Sequence, residues 1–152
     1  IFEYENRPAG VVNVTDLMVL GIQQKYPHGF DEGRFQRLFP IDAPVLFNFH
    51  GYTAAIKQLL FERPQNQRFD INGYREEGTT TTPFDMQVRN RTSRYHLVIQ
   101  AAQKIAARNS GASVLAETII RKYERKLAEH REFIRKEWVD PSEISEWRAG
   151  GR

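Results

Sequence analysis

Short blocks of apolar residues in the first half of the chain predict strands that alternate with helices. The β-branched run at 11–14 predicts a buried strand that leads into a turn or short helix. The run at 45–49 is almost continuously apolar, which predicts a second strand that is buried on both faces and ended by His50 and Gly51. Apolar residues within 69–74 predict a third strand.

Two short helices are predicted between these strands. Asp31 and Thr53 suit the N-cap position, because their side-chain oxygens can accept hydrogen bonds from first-turn N–H groups, and Pro40 and Pro64 follow the two apolar stretches. The predicted inner faces are Phe35, Leu38 and Phe39 in one helix and Ile56, Leu59 and Leu60 in the other. Since parallel strands need crossover helices, the alternation predicts an α/β fold: an open, largely parallel sheet of three to five strands covered by helices.

The second half of the chain has the three-and-four apolar spacing of helices. Thr92 or Ser93 can cap one helix, which ends near 109–111. A second helix is predicted over 113–138; it would be about 39 Å long, so we expect part of it to dock on another domain or subunit. Its predicted inner face is Ala116, Ile120, Tyr123, Leu127, His130, Ile134 and Trp138.

The segment 1–10 has no sustained periodicity and contains Pro8 and Gly10, so we expect a lead-in segment or a short edge strand. At 152 residues the chain is long enough for one domain with a substantial core. We place that domain at 11–139. A tail over 140–152 follows it, because Asp140 and Pro141 end the long helix.

Composition narrows the class of protein without naming it. Hydrophobic residues at 40% and charged residues at 27% are ordinary for a globular protein, and the net charge of +3 is too small to indicate nucleic-acid binding. The absence of cysteine excludes disulfides, cysteine-based zinc sites and a cysteine nucleophile, and it suits a reducing compartment. No apolar run reaches about 18 residues and the start does not resemble a signal peptide, so we expect a cytoplasmic protein.

The stretch 73–86 contains the least ordinary pattern of the chain. Four consecutive threonines, Thr79–82, favour extended backbone, and their hydroxyls need partners if they are buried. Gly73 and Gly78 bracket a charged triplet and permit backbone angles closed to other residues, while Pro83 disfavours helix at the residue before it. These features predict a shaped, extended loop that leaves a strand.

This stretch, Gly-Tyr-Arg-Glu-Glu-Gly-Thr-Thr-Thr-Thr-Pro-Phe-Asp-Met, resembles the signature of the carboxy-terminal domain of phosphoketolases, thiamine-diphosphate enzymes related to transketolase. Three further blocks occur upstream in the family's order. They are Val-Asn-Val-Thr-Asp-Leu-Met at 12–18, Pro-His-Gly at 27–29, and Pro-Val-Leu-Phe-Asn-Phe-His-Gly-Tyr at 44–52. The resemblance covers roughly 11–138, whereas 1–10 do not resemble the strand and helix that precede this region in the family.

The resemblance implies a parent enzyme that cleaves xylulose 5-phosphate or fructose 6-phosphate with inorganic phosphate, giving acetyl phosphate and a shorter aldose phosphate. It also implies that thiamine diphosphate and magnesium are held by the two preceding domains across a homodimer. The chain has no match to the family's diphosphate-binding Gly-Asp-Gly segment or its cofactor-activating glutamate. We therefore expect this region alone to be inactive, without a cofactor of its own, and to support packing, a dimer or higher oligomer, and regulation.

Candidate ligand-binding positions follow the predicted strands, where the loops of open parallel sheets carry ligands. The alternative to a packing role is a free-standing regulatory module that binds a nucleotide or another anion at these loops. Hydroxyl and backbone donors of the threonine run could form an anion-binding nest, or they could instead bond the loop to the sheet. The candidate anion-binding or interface residues are His50, Gly51, Tyr52, Tyr74, Glu77, Gly78, Thr79, Thr80, Thr81 and Thr82.

Other kinds of site have little support in the sequence. The four histidines lack metal-ligand spacing, and Glu76 and Glu77 are adjacent, so on an extended strand their carboxylates would point to opposite faces rather than form a catalytic pair. Arg and Lys alternate with Glu along the last long helix, a pattern typical of a solvated face. Nucleic-acid binding by these basic residues is a weaker third hypothesis, and no membrane partner is expected.

Overall fold

The computed structural model describes residues 2–4, 7–75 and 80–147. The α/β class is confirmed, and helices dominate the second half of the chain. The strands are β1 (Phe2–Tyr4), β2 (Arg7–Ala9), β3 (Val45–Tyr52) and β4 (Phe69–Tyr74), and the helices are α1 (Glu32–Leu38), α2 (Thr53–Leu60), α3 (Pro83–Arg89), α4 (Arg94–Arg108), α5 (Ser113–Glu137) and α6 (Ser142–Ser145). Single 3-10 turns lie at Leu17–Leu20, Asn66–Arg68 and Ser110–Ala112.

The parallel sheet among the described residues has two strands, β3 and β4, so the expected three to five overstated its size. The side chain of Asn48 bonds to that of Asn72, and the side chain of His50 bonds to that of Tyr74. Both pairs are 24 residues apart in sequence, and this constant separation shows that the two strands run parallel. A separate antiparallel hairpin joins β1 and β2, with Phe2 opposite Ala9. The hairpin lies in the segment expected to be a lead-in or edge strand.

The strand predicted at 11–14 is wrong. Residues 11–14 have no regular secondary structure and pair with no strand in the described part of the chain, and Val11 is 66% exposed. β-branched residues favour extended backbone, yet a strand also needs a neighbour to satisfy its N–H and C=O groups. The segment instead leads to Asp16, whose side chain caps the turn Leu17–Leu20 by accepting from the Met18 N–H at 2.9 Å.

The burial predicted for β3 is also wrong. Its residues alternate between covered and exposed positions beyond Phe47, with Asn48, His50 and Tyr52 on the exposed side. The strand continues through His50 and Gly51 to Tyr52 instead of ending there. One face of the strand is uncovered from Asn48 onwards, as is common in sheets that are packed on one side only, although much of the run is apolar.

The chain divides into two compact units, and the first comprises Ile1–Val45 and Ala54–Phe69. Asp31 caps α1 as predicted, since its Oδ1 accepts from the Arg34 N–H at 2.8 Å. Phe35 and Phe39 are buried, but Leu38 is 42% exposed and does not belong to the predicted inner face. Leu38 follows Phe35 by three residues, and the seven-residue helix is too short to bury both sides of its apolar stripe.

Arg63 organises the first unit from within. It is 3% exposed, and its guanidinium lies 4.0 Å above the Phe35 ring. Its Nε donates to the Leu20 carbonyl at 2.9 Å, and Nη2 donates to the carbonyls of Gly21 at 2.6 Å and Phe30 at 2.8 Å. Nη1 adds an ion pair with Glu32 at 3.1 Å. One arginine therefore satisfies the backbone acceptors of a loop that has little regular structure.

The second unit comprises Leu46–Thr53 and Asp70–Arg152 and is built mainly on α4 and α5. Ser93 caps α4 as one of the two predicted caps, and α5 has 25 residues, close to the predicted span. Along α5, Glu117 pairs with Arg121 at 3.5 Å and Glu132 with Lys136 at 2.9 Å, each four residues apart. Its core comprises Phe84, Val88, Tyr95, Ile99 and Leu127, with a second cluster of Ala102, Ala116 and Ile119.

Two details of this unit differ from the predictions. Trp138 was expected on the inner face of α5, yet it is 77% exposed, because it ends the helix in the left-handed conformation with φ 58° and so leaves the helical stripe. The stretch 73–86, expected to be an extended loop, includes the first turn of α3. Thr82 caps α3 by accepting from the Asp85 N–H, and Pro83 occupies the first position, where its missing N–H costs nothing.

Candidate functional site

The ends of β3 and β4 bring three of the candidate residues together. His50 Nε2 lies 2.7 Å from the Tyr74 hydroxyl, and the rings of His50 and Tyr52 both meet that of Tyr74 edge-on, with centroids 5.0 Å and 5.8 Å away. A Cβ added to Gly73 would lie 2.4 Å from the Gly51 carbonyl oxygen, so the strands approach closely only because Gly73 has no side chain. These aromatic rings form an exposed edge with hydrogen-bonding groups.

The threonine run is partly committed to internal hydrogen bonds. The Thr81 hydroxyl donates to Asp85 Oδ2 at 2.7 Å, and the Thr82 hydroxyl donates to Asp140 Oδ1 at 2.6 Å. Thr80 is exposed, whereas Glu77, Gly78 and Thr79 lie outside the described residues. Thr81 and Thr82 therefore hold the start of α3 and the end of the α5 region, and an anion-binding nest at this run stays a prediction.

Asp85 lies beneath this loop at the centre of the second unit. It is 3% exposed; its Oδ2 accepts from Arg89 Nε and from Thr81, each at 2.7 Å, and its Oδ1 lies 3.4 Å from His130 Nε2. Burial alone would raise the pKa of Asp85, but hydrogen bonds from Arg89 and Thr81, together with the charges of Arg89 and His130, lower it below its ordinary value. Asp85 is thus an ionised carboxylate inside the protein.

Beside Asp85 opens a cavity of about 410 Å³ that we call the arginine cavity. Five arginines from four parts of the second unit line it, with Val88 and Ile134 as its buried apolar floor. Asp85 is the acidic residue of the lining, and His96 is the remaining titratable group. The five are Arg75 after β4, Arg89 at the end of α3, Arg91 in the turn before α4, and Arg131 and Arg135 on α5.

Local structure fixes where these arginines stand. Buried Asn90 accepts the Arg75 backbone N–H at 2.8 Å through Oδ1 and donates to the Met86 carbonyl at 3.0 Å through Nδ2, so the end of β4 is tied to the end of α3. Arg91 follows directly, in the left-handed region with φ 57°. Arg131 and Arg135 are one turn apart on α5 and therefore share a face.

The cavity shifts the titration of its histidine. The pKa of His96 is lowered from 6.5 to about 4, first because the ring is partly buried and then because Arg91, Arg131 and Arg75 repel a second positive charge. His96 is therefore neutral at neutral pH. Its Nδ1 lies 2.8 Å from the Ser93 hydroxyl, which leaves Nε2 as the ring nitrogen available to a ligand.

Sequence reasoning missed this constellation. The arginines of α5 were interpreted as part of a solvated face. Of the five cavity arginines, all but Arg89 are indeed exposed at the rim of the cavity. The one local signal was the pair Arg131 and Arg135, since like charges four residues apart on a helix repel each other. Their convergence with Arg75 and Arg91 depends on tertiary packing.

The structure offers no evident metal site or membrane segment within its described part. No group of three or more His, Asp or Glu residues there is arranged to hold a metal ion. No described helix is both long and apolar enough to span a bilayer.

Comparison with known proteins decides the family. The model of the family described as the XFP C-terminal domain matches residues 8–149, which is most of the chain. The chain belongs to the phosphoketolase C-terminal domain family. This agrees with the resemblance of the motif at 73–86, which contains both Arg75 of the cavity and the threonine run.

Relatives of this phosphoketolase C-terminal domain are much longer proteins. It is 47% identical over 134 residues to a "Probable phosphoketolase" of Schizosaccharomyces pombe, covering 88% of this chain and 16% of that protein. It is 42% identical to "Probable phosphoketolase 2" of Rhizobium meliloti and 41% identical to "Probable phosphoketolase" of Brucella abortus, each over 138 residues, 91% of this chain and 17% of the relative. The chain thus spans about a sixth of their length.

Proposed function

We propose that this chain is the carboxy-terminal domain of a phosphoketolase that cleaves xylulose 5-phosphate or fructose 6-phosphate with inorganic phosphate to acetyl phosphate and an aldose phosphate. The observation that carries the proposal is the match of residues 8–149 to the family, together with 41–47% identity to proteins named as probable phosphoketolases. The site of the reaction then lies in the preceding domains, which also hold thiamine diphosphate and magnesium. A cytoplasmic location is part of the same proposal.

The domain itself is non-catalytic in this proposal. Several polar groups of the second unit bond to one another: Tyr74 with His50, Thr81 with Asp85, and Thr82 with Asp140. These contacts hold loops to helices, which suits a domain that shapes and supports its neighbours. Function must be argued from a site, and the groups described here support packing and ligand binding better than covalent chemistry.

Exposed apolar residues support a packing role in a larger assembly. Trp138 is 77% and Val139 57% exposed at the end of α5, and Val114 is 80% exposed at its start. Large apolar side chains grouped at the ends of a helix are suited to bury against another domain or subunit. We propose that these ends dock on the preceding catalytic domains and support a homodimer or higher oligomer.

The activity test compares three samples: this chain alone, the preceding domains alone, and the whole gene product. Each is given either fructose 6-phosphate or xylulose 5-phosphate, together with inorganic phosphate, thiamine diphosphate and magnesium, and acetyl phosphate is measured as its hydroxamate. We expect product from the whole protein and none from this chain alone. Acetyl phosphate formed by this chain alone would overturn the non-catalytic role, and a whole protein without activity towards either ketose phosphate would overturn the reaction.

Light scattering on the same samples tests the assembly. We expect the whole gene product to be a dimer or larger. Trp138→Gln with Val139→Gln should weaken association without unfolding the domain, because both residues are exposed. A monomeric whole protein would contradict the proposed oligomer.

A further inference from the structure

Four of the five guanidinium groups of the arginine cavity form no ion pair among the described residues. Arg89 pairs with Asp85 at 2.7 Å, but the ion pairs of the described part of the chain do not include Arg75, Arg91, Arg131 or Arg135. Asp85, the carboxylate in the lining, is already shared among Arg89, Thr81 and His130. The described lining of the cavity therefore carries more positive than negative charge, with five arginines and one aspartate.

This concentration of charge opposes folding unless something offsets it. Arg131 and Arg135 repel each other across one helical turn, and Arg91 occupies a left-handed position that suits glycine or asparagine better than arginine. Strained or repulsive arrangements persist where the surrounding structure enforces them, and they concentrate at ligand sites. An anion in the cavity would remove the repulsion.

We propose that the arginine cavity is a binding site for a small anion of the phosphate class that carries two or more negative charges. A guanidinium group binds phosphate oxygens through paired N–H donors. Several guanidinium groups that face the same cavity favour a ligand with several charged oxygens over a monovalent ion. The volume of about 410 Å³ lies within the range of about 300–1,000 Å³ found for small-molecule sites.

The chemistry of the lining excludes the opposite charge. Arginine donates hydrogen bonds and cannot coordinate a cation, and the neutral imidazole of His96 adds a group able to donate without adding charge. The apolar floor of Val88 and Ile134 is buried and lowers the local dielectric, which strengthens attraction between the guanidinium groups and an anion. The site is distinct from the predicted threonine nest, and the proposal does not depend on the catalytic activity of the whole protein.

The test is isothermal titration calorimetry of the whole gene product with inorganic pyrophosphate as probe, in low-salt buffer without phosphate. The unmodified protein is compared with Arg131→Gln, with Arg135→Gln and with the double variant. We expect each single substitution to weaken binding at the cavity by about tenfold or more, because each removes a charge-assisted hydrogen bond. The double variant should lose the site, so its binding stoichiometry falls by one per chain.

Arg125→Gln is the matched control, since Arg125 is an exposed arginine on the same helix outside the cavity. It should bind pyrophosphate as the unmodified protein does. Equal losses in Arg125→Gln and Arg131→Gln would overturn the proposal, because binding would then follow net charge rather than this cavity. Unchanged stoichiometry in a folded double variant, verified by circular dichroism, would also overturn it, since the pyrophosphate would then bind elsewhere.

Discussion

Arg63 in the first unit and Arg131 in the second carry the same guanidinium group in opposite surroundings. Arg63 is 3% exposed and donates to the backbone carbonyls of residues 19, 20, 21 and 30 and to Glu32. Arg131 is exposed at the rim of the arginine cavity, and its neighbours there include four more arginines. Among the described residues Arg63 has backbone carbonyls, a carboxylate and an aromatic ring as partners, whereas Arg131 has no ion pair.

The difference separates a structural arginine from a ligand-binding one. A buried arginine with satisfied donors stabilises the fold, and its removal leaves acceptors without donors inside the protein. An arginine that lies among other arginines and forms no ion pair contributes repulsion to the fold. We therefore expect its role to be the binding of a ligand. The two groups should therefore respond oppositely to substitution and to added anions.

The largest expected effect is that of Arg63→Ala, which should lower the free energy of unfolding by about 3–5 kcal/mol. The carbonyls of Leu20, Gly21 and Phe30 would lose their donor, and Phe35 would face a void. Arg63→Lys should recover only a small part of the lost stability, because an ammonium group cannot reproduce the planar set of guanidinium N–H donors. Urea unfolding followed by circular dichroism measures both, and a loss below about 1 kcal/mol would contradict the structural role.

Asp85→Asn should have the next largest effect, a loss of about 1–3 kcal/mol, because the carboxylate accepts charge-assisted bonds from within the fold. Since its pKa is lowered in the folded state, its stabilisation is complete above the pKa of an unfolded aspartate, near about 3.9, and is lost as pH falls further. The gap between the two proteins should therefore close in acid, as urea unfolding at several pH values would reveal.

Asp85→Asn also tests the arginine cavity as an anion site, because loss of the Asp85 carboxylate makes the cavity more positive. Pyrophosphate should bind Asp85→Asn more tightly even though the variant is less stable. Glu117→Gln is the control, since Glu117 is an exposed member of the helical pair with Arg121, outside the cavity, and its loss should leave stability and pyrophosphate binding nearly unchanged. Weaker pyrophosphate binding by Asp85→Asn would count against the cavity as an anion site.

Arg131→Gln should change stability by less than about 0.5 kcal/mol in low salt, and towards greater stability, because repulsion from Arg135 is relieved. Added pyrophosphate should then stabilise the unmodified protein more than the variant, since a ligand of the folded state raises its stability by mass action. Thermal unfolding with and without pyrophosphate measures both effects. A loss comparable to that of Arg63→Ala would place Arg131 among the structural arginines.

Sequence alone predicted the elements whose signals are local. Asp31 and Ser93 were recognised as helix caps from residue type and spacing, and the span of α5 followed from its apolar stripe. The strand at 11–14 failed because composition records a preference for extended backbone but not whether a neighbouring strand exists. Helix α3 was missed because a Thr-Pro pair that was interpreted as a loop is also a cap followed by a favourable first position.

The candidate site divides in the same way. The contact between His50 and Tyr74 lies where the predicted parallel strands end, so alternation of strands and helices was enough to place both residues at one edge. The arginine cavity depends on the turn at Arg91 and on the packing of α5 beside the end of β4. Neither feature produces a periodic pattern in the sequence. Convergence of distant residues was the part that local patterns could not supply.

The smallest effect at neutral pH is expected for His96→Gln, because His96 is already neutral there. Its pKa is lowered to about 4 by burial and by Arg91, Arg131 and Arg75, so the unfolded chain binds more protons than the folded one between about pH 4 and pH 6.5. Stability should rise with pH across that window, and the rise should be shallower in the variant. The other charged groups lining the cavity are Arg89, Arg135 and Asp85.

The His96 ring of the unmodified protein also reports on the ligand. Pyrophosphate in the cavity would neutralise the arginines that repel the imidazolium, so the pKa of His96 should move back towards 6.5 when the anion binds. Nuclear magnetic resonance of the ring carbons across pH, with and without pyrophosphate, measures that shift directly. A ring that titrates near 6.5 without any ligand would mean that the guanidinium groups do not converge on His96 in solution, and the contrast with Arg63 would then lose its basis.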